Sequence, residues 1–444
     1  MKSMNEIIQW IDALIKKTVV NINRCNLDDS DFWFYDEEQG VIRNKNNSFF
    51  SIAGIKGYIN NEYIEQPIII QNEIGYLGII CKEFDGVTKY LMQAKIEPGN
   101  INCVQISPTI QATKSNFTQK HGGKKPLYLE YFINADKYEI LADQIQSEQS
   151  SRFLGKRNRN MIIKVNEDVP IYNDNFRWLT LKEIKELTKY DNLVNMDTRT
   201  VLSCLPLVSD KIDNVYSNYY KKNPFFYNSV FSKDYINEIQ EVYYRINNYK
   251  MFNNNYKEIV KLSELTSWEI NNEGIMCKED FPYKVIYCDI EIEGREVTRW
   301  VQPLFQANGV ALFVLIRTVY MNEVKYLVKI TPEIGCFDDI ELGPTLQKEA
   351  NVSLDKDLIE KYISNKLKSN ENIVFDSILS EEGGRFYHEE NRNVIIDVDY
   401  NEIPELPEEY ILVSYRALNT LNLVNNCLNI QLRNLLSTLE VSDE

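Results

Sequence analysis

The 444-residue chain sets 65 acidic against 49 basic residues, a formal net charge of −16 at pH 7, with 44% hydrophobic and 12% aromatic residues. That charge excludes general binding to nucleic-acid backbones or anionic membranes, so any anionic ligand must meet a local cluster of positive groups. The length exceeds one ordinary core and suits two, and the apolar content is that of folded modules.

Along the chain, Ile7, Ile11, Leu14 and Ile15 fall at helical spacing among charged residues, which predicts an amphipathic helix within residues 1–20 rather than the uninterrupted apolar region of a signal peptide. Apolar segments of strand length follow at 67–80, 89–94, 101–106 and 161–165, divided by turn residues such as Asp85-Gly86 and Pro98-Gly99-Asn100. They predict a mixed sheet with flanking helices. Residues 213–265 are polar, rich in Asn and Tyr, and place Ile236, Ile239, Val242, Tyr243 and Ile246 at helical spacing, predicting helices that join two modules or form a subunit interface. The longest apolar run, 310–316, falls far below the roughly 20 residues that span a bilayer and reads as a buried strand. Leu428, Leu432, Leu435, Leu436 and Leu439 share one face of a closing helix. The eight cysteines (Cys25, Cys81, Cys103, Cys204, Cys277, Cys288, Cys336, Cys427) form no C-x-x-C pair and read as reduced, mostly buried thiols, without a zinc or disulfide framework. A soluble, cytoplasmic protein is expected.

The chain repeats itself. Gln66-Pro67, Lys89-Tyr90-Leu91 and Pro108-Thr109-Ile110-Gln111 recur as Gln302-Pro303, Lys325-Tyr326-Leu327 and Pro344-Thr345-Leu346-Gln347. Ser147-Glu148, Arg152-Phe153 and Asn158-Arg159-Asn160 recur as Ser380-Glu381, Arg385-Phe386 and Asn391-Arg392-Asn393. Asn195-Met196 and Arg199 with Leu202-Ser203 are answered by Asn429-Ile430 and Arg433 with Leu436-Ser437. Three ordered blocks at preserved spacing mean duplication, with 1–212 as the first module and 213–444 as the second, a helical linker at its start.

The run Gln93-Ala94-Lys95-Ile96-Glu97-Pro98-Gly99-Asn100, continuing through Gln105-Ile106-Ser107-Pro108-Thr109-Ile110-Gln111-Ala112-Thr113 to Ser115-Asn116-Phe117-Thr118 and His121-Gly122-Gly123, resembles the signature of NDP-hexose 2,3-dehydratases. Trp300-Val301-Gln302-Pro303 and Glu341-Leu342-Gly343-Pro344-Thr345-Leu346-Gln347 extend the resemblance over nearly the whole chain. It implies an α+β fold of two tandem Nudix-like modules, in a homodimer, acting on dTDP-4-keto-6-deoxy-D-glucose without metal or organic cofactor. The second copy reads Lys329-Ile330-Thr331-Pro332-Glu333-Ile334-Gly335, a degraded form of the first-copy segment, which favours the first copy as the catalytic one.

In a 4-keto sugar the C3 proton lies α to the carbonyl and the C2 hydroxyl β to it, so the protein must supply a base, donors for the enolate oxygen and an acid for the leaving hydroxyl. The resulting 3,4-diketo-2,6-dideoxy sugar is reactive, and a 3-ketoreductase or aminotransferase is expected to take it on. His121, whose free pKa lies near neutrality, is the first candidate acid or base, beside Gly122-Gly123; a surface histidine is the plain alternative. Glu97 is the alternative base, although its recurrence as Glu333 also suits a structural role at the Pro98-Gly99 turn. Lys95 could steady the enolate or the pyrophosphate, and Gln105, Thr109, Ser115 and Asn116 could bind sugar hydroxyls, while Pro-Thr in both copies also suits a strand-ending turn. Arg152 and Arg385 offer guanidinium forks for the diphosphate, or ion pairs with Glu148 and Glu381. Lys156, Arg157 and Arg159 read as a solvated basic turn. Trp33 and Trp300 could stack on the nucleobase or belong to a core; His388, absent from the first copy, receives no role.

Two other readings compete. A metal-dependent Nudix hydrolase needs the carboxylate-rich pattern G-x5-E-x7-R-E-x-x-E-E, but the nearest fragment has Phe386 in place of the glutamate after the arginine and Ser377 in place of the upstream one. A non-catalytic sugar-nucleotide binding module remains open for the second copy.

Overall fold

The computed structural model describes residues 2–117, 125–205, 223–293 and 298–439. The N-terminal helix, Lys2–Lys17, buries Ile7 and Ile11 and carries Lys16 and Lys17 in its last turn, where positive charge suits the helix dipole. It stops short of the expected limit because Val20 opens a strand.

Each copy is built on a seven-stranded sheet. The first unites Gly75–Phe84, Val87–Ile96, Glu139–Ser147, Arg157–Lys164 and Phe176–Thr180 with the short strands Val104–Ser107 and Ile110–Ala112. All its pairings are antiparallel except Arg157–Lys164 on Gly75–Phe84. The second sheet repeats this arrangement, with Glu390–Val398 parallel to Ala311–Tyr320. Strand alternation sends Ile79, Cys81, Tyr90 and Met92 into a core shared by both copies, and Ile80, Leu91, Met161 and Ile163 to the opposite face under the helix Leu129–Ile133. On the shared face lie the helices Leu181–Leu187 and Met196–Ser203, opened by Thr180 and Asn195, whose side chains accept the amides of Glu183 and Thr198. Ser414 and Asn429 do the same for Tyr415–Leu421 and Ile430–Ser437, the last being the closing helix expected from its leucines.

The copies also exchange strands. Val20–Arg24 pairs with Tyr283–Ile292 of the second copy, and Tyr256–Val260 pairs with Ser51–Ile59 of the first, each completing a five-stranded sheet. Of the interval 213–265 expected to be helical, 213–222 lies outside the described residues, and the rest holds the helices Pro224–Val230 and Tyr235–Phe252 and then a strand, hidden in the sequence because its side chains stay largely exposed. The segment 67–80 is likewise two strands, Glu62–Ile70 and Gly75–Phe84, parted by the polar residues Gln71, Asn72 and Glu73. Among the described residues no helix is long and apolar enough to cross a membrane, and all eight cysteines are free.

Two glycine turns, Glu97-Pro98-Gly99 and its counterpart Glu333-Ile334-Gly335, lock the copies together. Gly99 donates its amide to the Gly383 carbonyl at 2.7 Å and accepts from His388 N at 2.8 Å; Gly335 donates to Ser150 at 2.9 Å and accepts from Gly155 at 2.8 Å. The approach leaves no room for a side chain: a Cβ on Gly335 would stand 2.0 Å from the Phe153 carbonyl oxygen, and one on Gly99 1.6 Å from that of Phe386. The buried Arg199 and Arg433 reach across to the carbonyls of Ser380 and Ser147. A Gly335→Ala chain is therefore expected to lose about 2–3 kcal/mol of stability through forced backbone displacement. Urea unfolding followed by far-ultraviolet circular dichroism measures the loss.

Candidate active site

A cavity of about 1350 Å³ opens beside the first copy's signature strand. One wall is Gln93 to Pro98 with Gln111 to Thr113; a second is Glu148, Lys156 and Asn158 with Asp197 from the helix Met196–Ser203; the second copy closes it with Trp300 to Gln302, Glu382, Gly384 and Arg385. The site is composite because the Pro98-Gly99 turn carries Glu97 under the loop that bears Glu382 and Arg385.

Lys95 Nζ lies 2.9 Å from Glu97 Oε1, which also accepts the Gln111 amide at 3.0 Å. Lys156, buried, donates to the Glu73 carbonyl and to Asn158 Oδ1, and burial pulls its pKa down to about 8. Asn158 in turn donates to Glu148 at 2.5 Å. The expectation of a solvated basic turn is corrected for Lys156, although Arg159 does sit at the surface, on Asp143 at 2.6 Å. Burial, with Glu148 next in effect, raises Asp197 well above the usual carboxylate range, and its Oδ2 has no hydrogen-bond partner among the described residues. Burial, with Glu97 next, pushes Glu382 up to about 7. Arg385 rests 4.5 Å over the Phe50 ring, donates to Gln71 and Gly384, and leaves Nε without a partner among the described residues. Glu97, Glu148, Asp197 and Glu382 thus gather here with Lys95, Lys156 and Arg385, and burial favours the protonated form of Asp197 and shifts Glu382 the same way.

Of the residues singled out from the sequence, Lys95, Glu97, Asn116, Trp33, Trp300 and Arg385 come together on this cavity. Trp33 is also core, 4.8 Å from Phe50, and Trp300 donates its indole N–H to Gln302. Gln105 is buried against Ser380, and Thr109 accepts the Ile80 amide while donating to the Leu91 carbonyl, as Thr345 does for Ile316 and Leu327. Ser115 binds Glu73 through its amide and hydroxyl. None of these three lines the cavity. His121 lies outside the described residues. Sequence reasoning passed over Asp197 and Glu382, and treated Glu148 and Lys156 as surface or pairing groups. The signal that could have found them is the mismatch between the copies, where Gln431, Gln149 and Glu389 stand opposite Asp197, Glu382 and Lys156.

Arg152 occupies the equivalent centre of the second copy. Both its terminal nitrogens lie 3.0 Å from the carboxylate of Glu349, its guanidinium stacks 4.0 Å over Tyr283, and Glu389 lies 3.6 Å away. The expected partners, Glu148 and Glu381, are instead held by Asn158 and Asn391. Burial pushes Glu333 up to about 7 and Glu389 to about 8, since one guanidinium cannot neutralise the carboxylates gathered around it. Between the unfolded glutamate value, about 4.3, and these folded values, the native state binds more protons than the unfolded one, so stability falls as pH rises through that window. Glu389→Gln removes one such group: melting temperature should fall less steeply from slightly acidic to slightly alkaline pH than in the parent chain, as read by scanning calorimetry.

The sequence model of the family described as NDP-hexose 2,3-dehydratase matches residues 4–205 and 239–439, one stretch in each copy. A protein of Streptomyces violaceoruber named dTDP-4-dehydro-6-deoxy-alpha-D-glucopyranose 2,3-dehydratase is 35% identical over 425 residues, covering 94% of this chain and 92% of the relative. Relatives of the same name from Saccharopolyspora spinosa and Amycolatopsis orientalis are 34% and 32% identical, covering 97% and 98% of this chain and 90% and 89% of their own. With both copies matched and the alignments running nearly end to end, the chain belongs to the NDP-hexose 2,3-dehydratase family.

Proposed function

We propose that this hydro-lyase removes water across C2–C3 of dTDP-4-keto-6-deoxy-D-glucose in the composite cavity, giving a 3,4-diketo-2,6-dideoxy sugar. The observation that carries the assignment to this cavity is the Lys95–Glu97 pair on its wall, at the one signature strand whose counterpart has Thr331 in place of the lysine.

The C4 ketone acidifies C3–H, so the reaction needs no metal or organic cofactor to stabilise the carbanion. Lys95 is the donor for the developing enolate oxygen, held in place by Glu97, whose same oxygen Gln111 also steadies. His121 is the base, supported by the near-neutral pKa of a free imidazole and by its place in the signature run that begins at Gln93. Glu97 remains the alternative, and its recurrence as Glu333 with the same glutamine partner at 3.0 Å supports a positioning role instead. Arg385 takes the diphosphate, with Trp300 stacking on the base; Arg152, engaged by Glu349, serves the frame. Each copy is read as Nudix-like, supported by its mixed sheet with helices on both faces. The cytoplasm is its compartment, and a 3-ketoreductase or aminotransferase acts on its product. A homodimer is supported by the exposed row Tyr63, Tyr58 and Tyr256 across three paired strands.

EDTA-treated protein incubated with the substrate should show loss of water by mass spectrometry, trapped as a reduced 2-deoxy sugar when a 3-ketoreductase is present. Nucleotide binding without turnover would instead select the binding-module reading. Lys95→Met should lower kcat about 100-fold with KM little changed, because the donor acts on charge that appears only in the transition state. Trp300→Ala should raise KM about 10-fold through lost stacking, read by steady-state kinetics.

A further inference from the structure

Duplication places two centres of common ancestry in one chain, and their differences separate frame from chemistry. Glu97 and Glu333 each accept a glutamine amide at 3.0 Å, from Gln111 and Gln347. Glu148 and Glu381 each accept from an asparagine, Asn158 and Asn391; Arg199 and Arg433 each cap a serine carbonyl of the opposite copy. Groups kept with their partners in both centres hold the frame. The cavity residues Lys95, Lys156, Asp197 and Glu382 break the pattern, since Thr331, Glu389, Gln431 and Gln149 stand at the equivalent positions.

Among these four, Glu382 alone comes from the second copy. It lines the cavity, and its Oε1 accepts the Gly384 amide at 2.8 Å, which fixes the carboxyl at the turn. Facing it are Lys95 and Glu97 from the signature strand, Glu148 and Lys156 from the first-copy loop, Asp197 from the helix Met196–Ser203, and Arg385 from its own turn. Burial, and after it the neighbouring Glu97, raise Glu382 to about 7, so a sizeable share of this carboxyl carries a proton near neutral pH and is able to donate it.

We propose that Glu382, supplied by the second copy, is the general acid that protonates the departing C2 hydroxyl in the first copy's site. The assignment rests on the dehydratase reading above. After the base takes the C3 proton, the C–H electron pair forms the C3=C4 enolate. As the C4 carbonyl reforms, that pair becomes the C2=C3 bond, the C2–O bond breaks, and the oxygen leaves with the Glu382 proton as water. The enol at C3 then shifts its proton to C2, so no net proton is consumed.

Glu382→Gln keeps the acceptor for the Gly384 amide and removes the proton. Steady-state kinetics of the full chain and this variant would be measured across neutral pH on two substrates, the native sugar nucleotide and its analogue with fluorine in place of the C2 hydroxyl, since fluoride leaves without a proton. The variant is expected to lose about 100-fold or more in kcat on the native substrate, to lose the alkaline limb of the pH profile that Glu382 sets, and to retain turnover of the fluoro analogue. Glu382→Asp, which keeps an acid, should recover part of the native rate. Native kcat and an unchanged alkaline limb in the glutamine variant would overturn the proposal, as would equal loss on both substrates. Absence of turnover by the parent chain would sink the dehydratase reading and this assignment together, whereas an active parent with an unimpaired variant removes Glu382 alone.

Discussion

Backbone contact between the turns at Gly99 and Gly335 and the opposite copy's Glu-x-x-x-Arg-Phe loops sets the relation of the halves, and the site depends on that relation. Each contact is main chain against main chain with no space for a Cβ, so neither copy can slide without breaking hydrogen bonds that have no alternative partner. Arg199 and Arg433 add to this. A buried guanidinium costs several kcal/mol unless its donors are met, and here each arginine meets part of that need within its own copy and the rest on a serine carbonyl of the other. With a strand exchanged in each direction as well, a separated half would expose both an unpaired sheet edge and an unsatisfied arginine.

The same frame produces opposite electrostatic outcomes in its two centres. Where Lys95 and Lys156 stand, the carboxylates have nearby cations and the space between them stays open as a cavity. Where Thr331 and Glu389 replace them, Arg152 is drawn to Glu349 and Glu389 and packed over Tyr283. Thr113 lines the open cavity, and Glu349 at the equivalent position supplies the carboxylate that engages the arginine. A few changes of charge within a repeated sheet arrangement account for one open centre and one where Arg152 is packed among its own side chains.

The duplication, the mixed sheets and the terminal helices were legible in the sequence because each rests on local periodicity or ordered recurrence. The strand Tyr256–Val260 was not, since it pairs with a strand some two hundred positions earlier and keeps most of its side chains in solvent, leaving no alternation to read. At the site, Lys95, Glu97 and Trp300 were legible from the signature. Thr109 and Gln105 carried the same signature for a different reason: one closes the sheet's own backbone, the other the contact between copies. A motif records that a residue is constrained without recording what constrains it. Asp197 and Glu382 were missed because they lie far apart in the chain and meet only when the copies dock.

That docking also bears on why a copy with a closed centre keeps its shape. The second copy provides Trp300, Val301, Gln302, Gly384 and Arg385 to the open cavity, and its turn at Gly383 holds the loop that carries Glu97. Its own centre can change charge freely so long as the turn, the arginine caps and the exchanged strand survive, because those are the features the first centre requires. Constraint on the second copy therefore falls on its frame and on the face it presents to its neighbour. The divergence at Thr331, Glu389 and Gln431, set beside the retained Gly335, Arg385 and Arg433, follows that division.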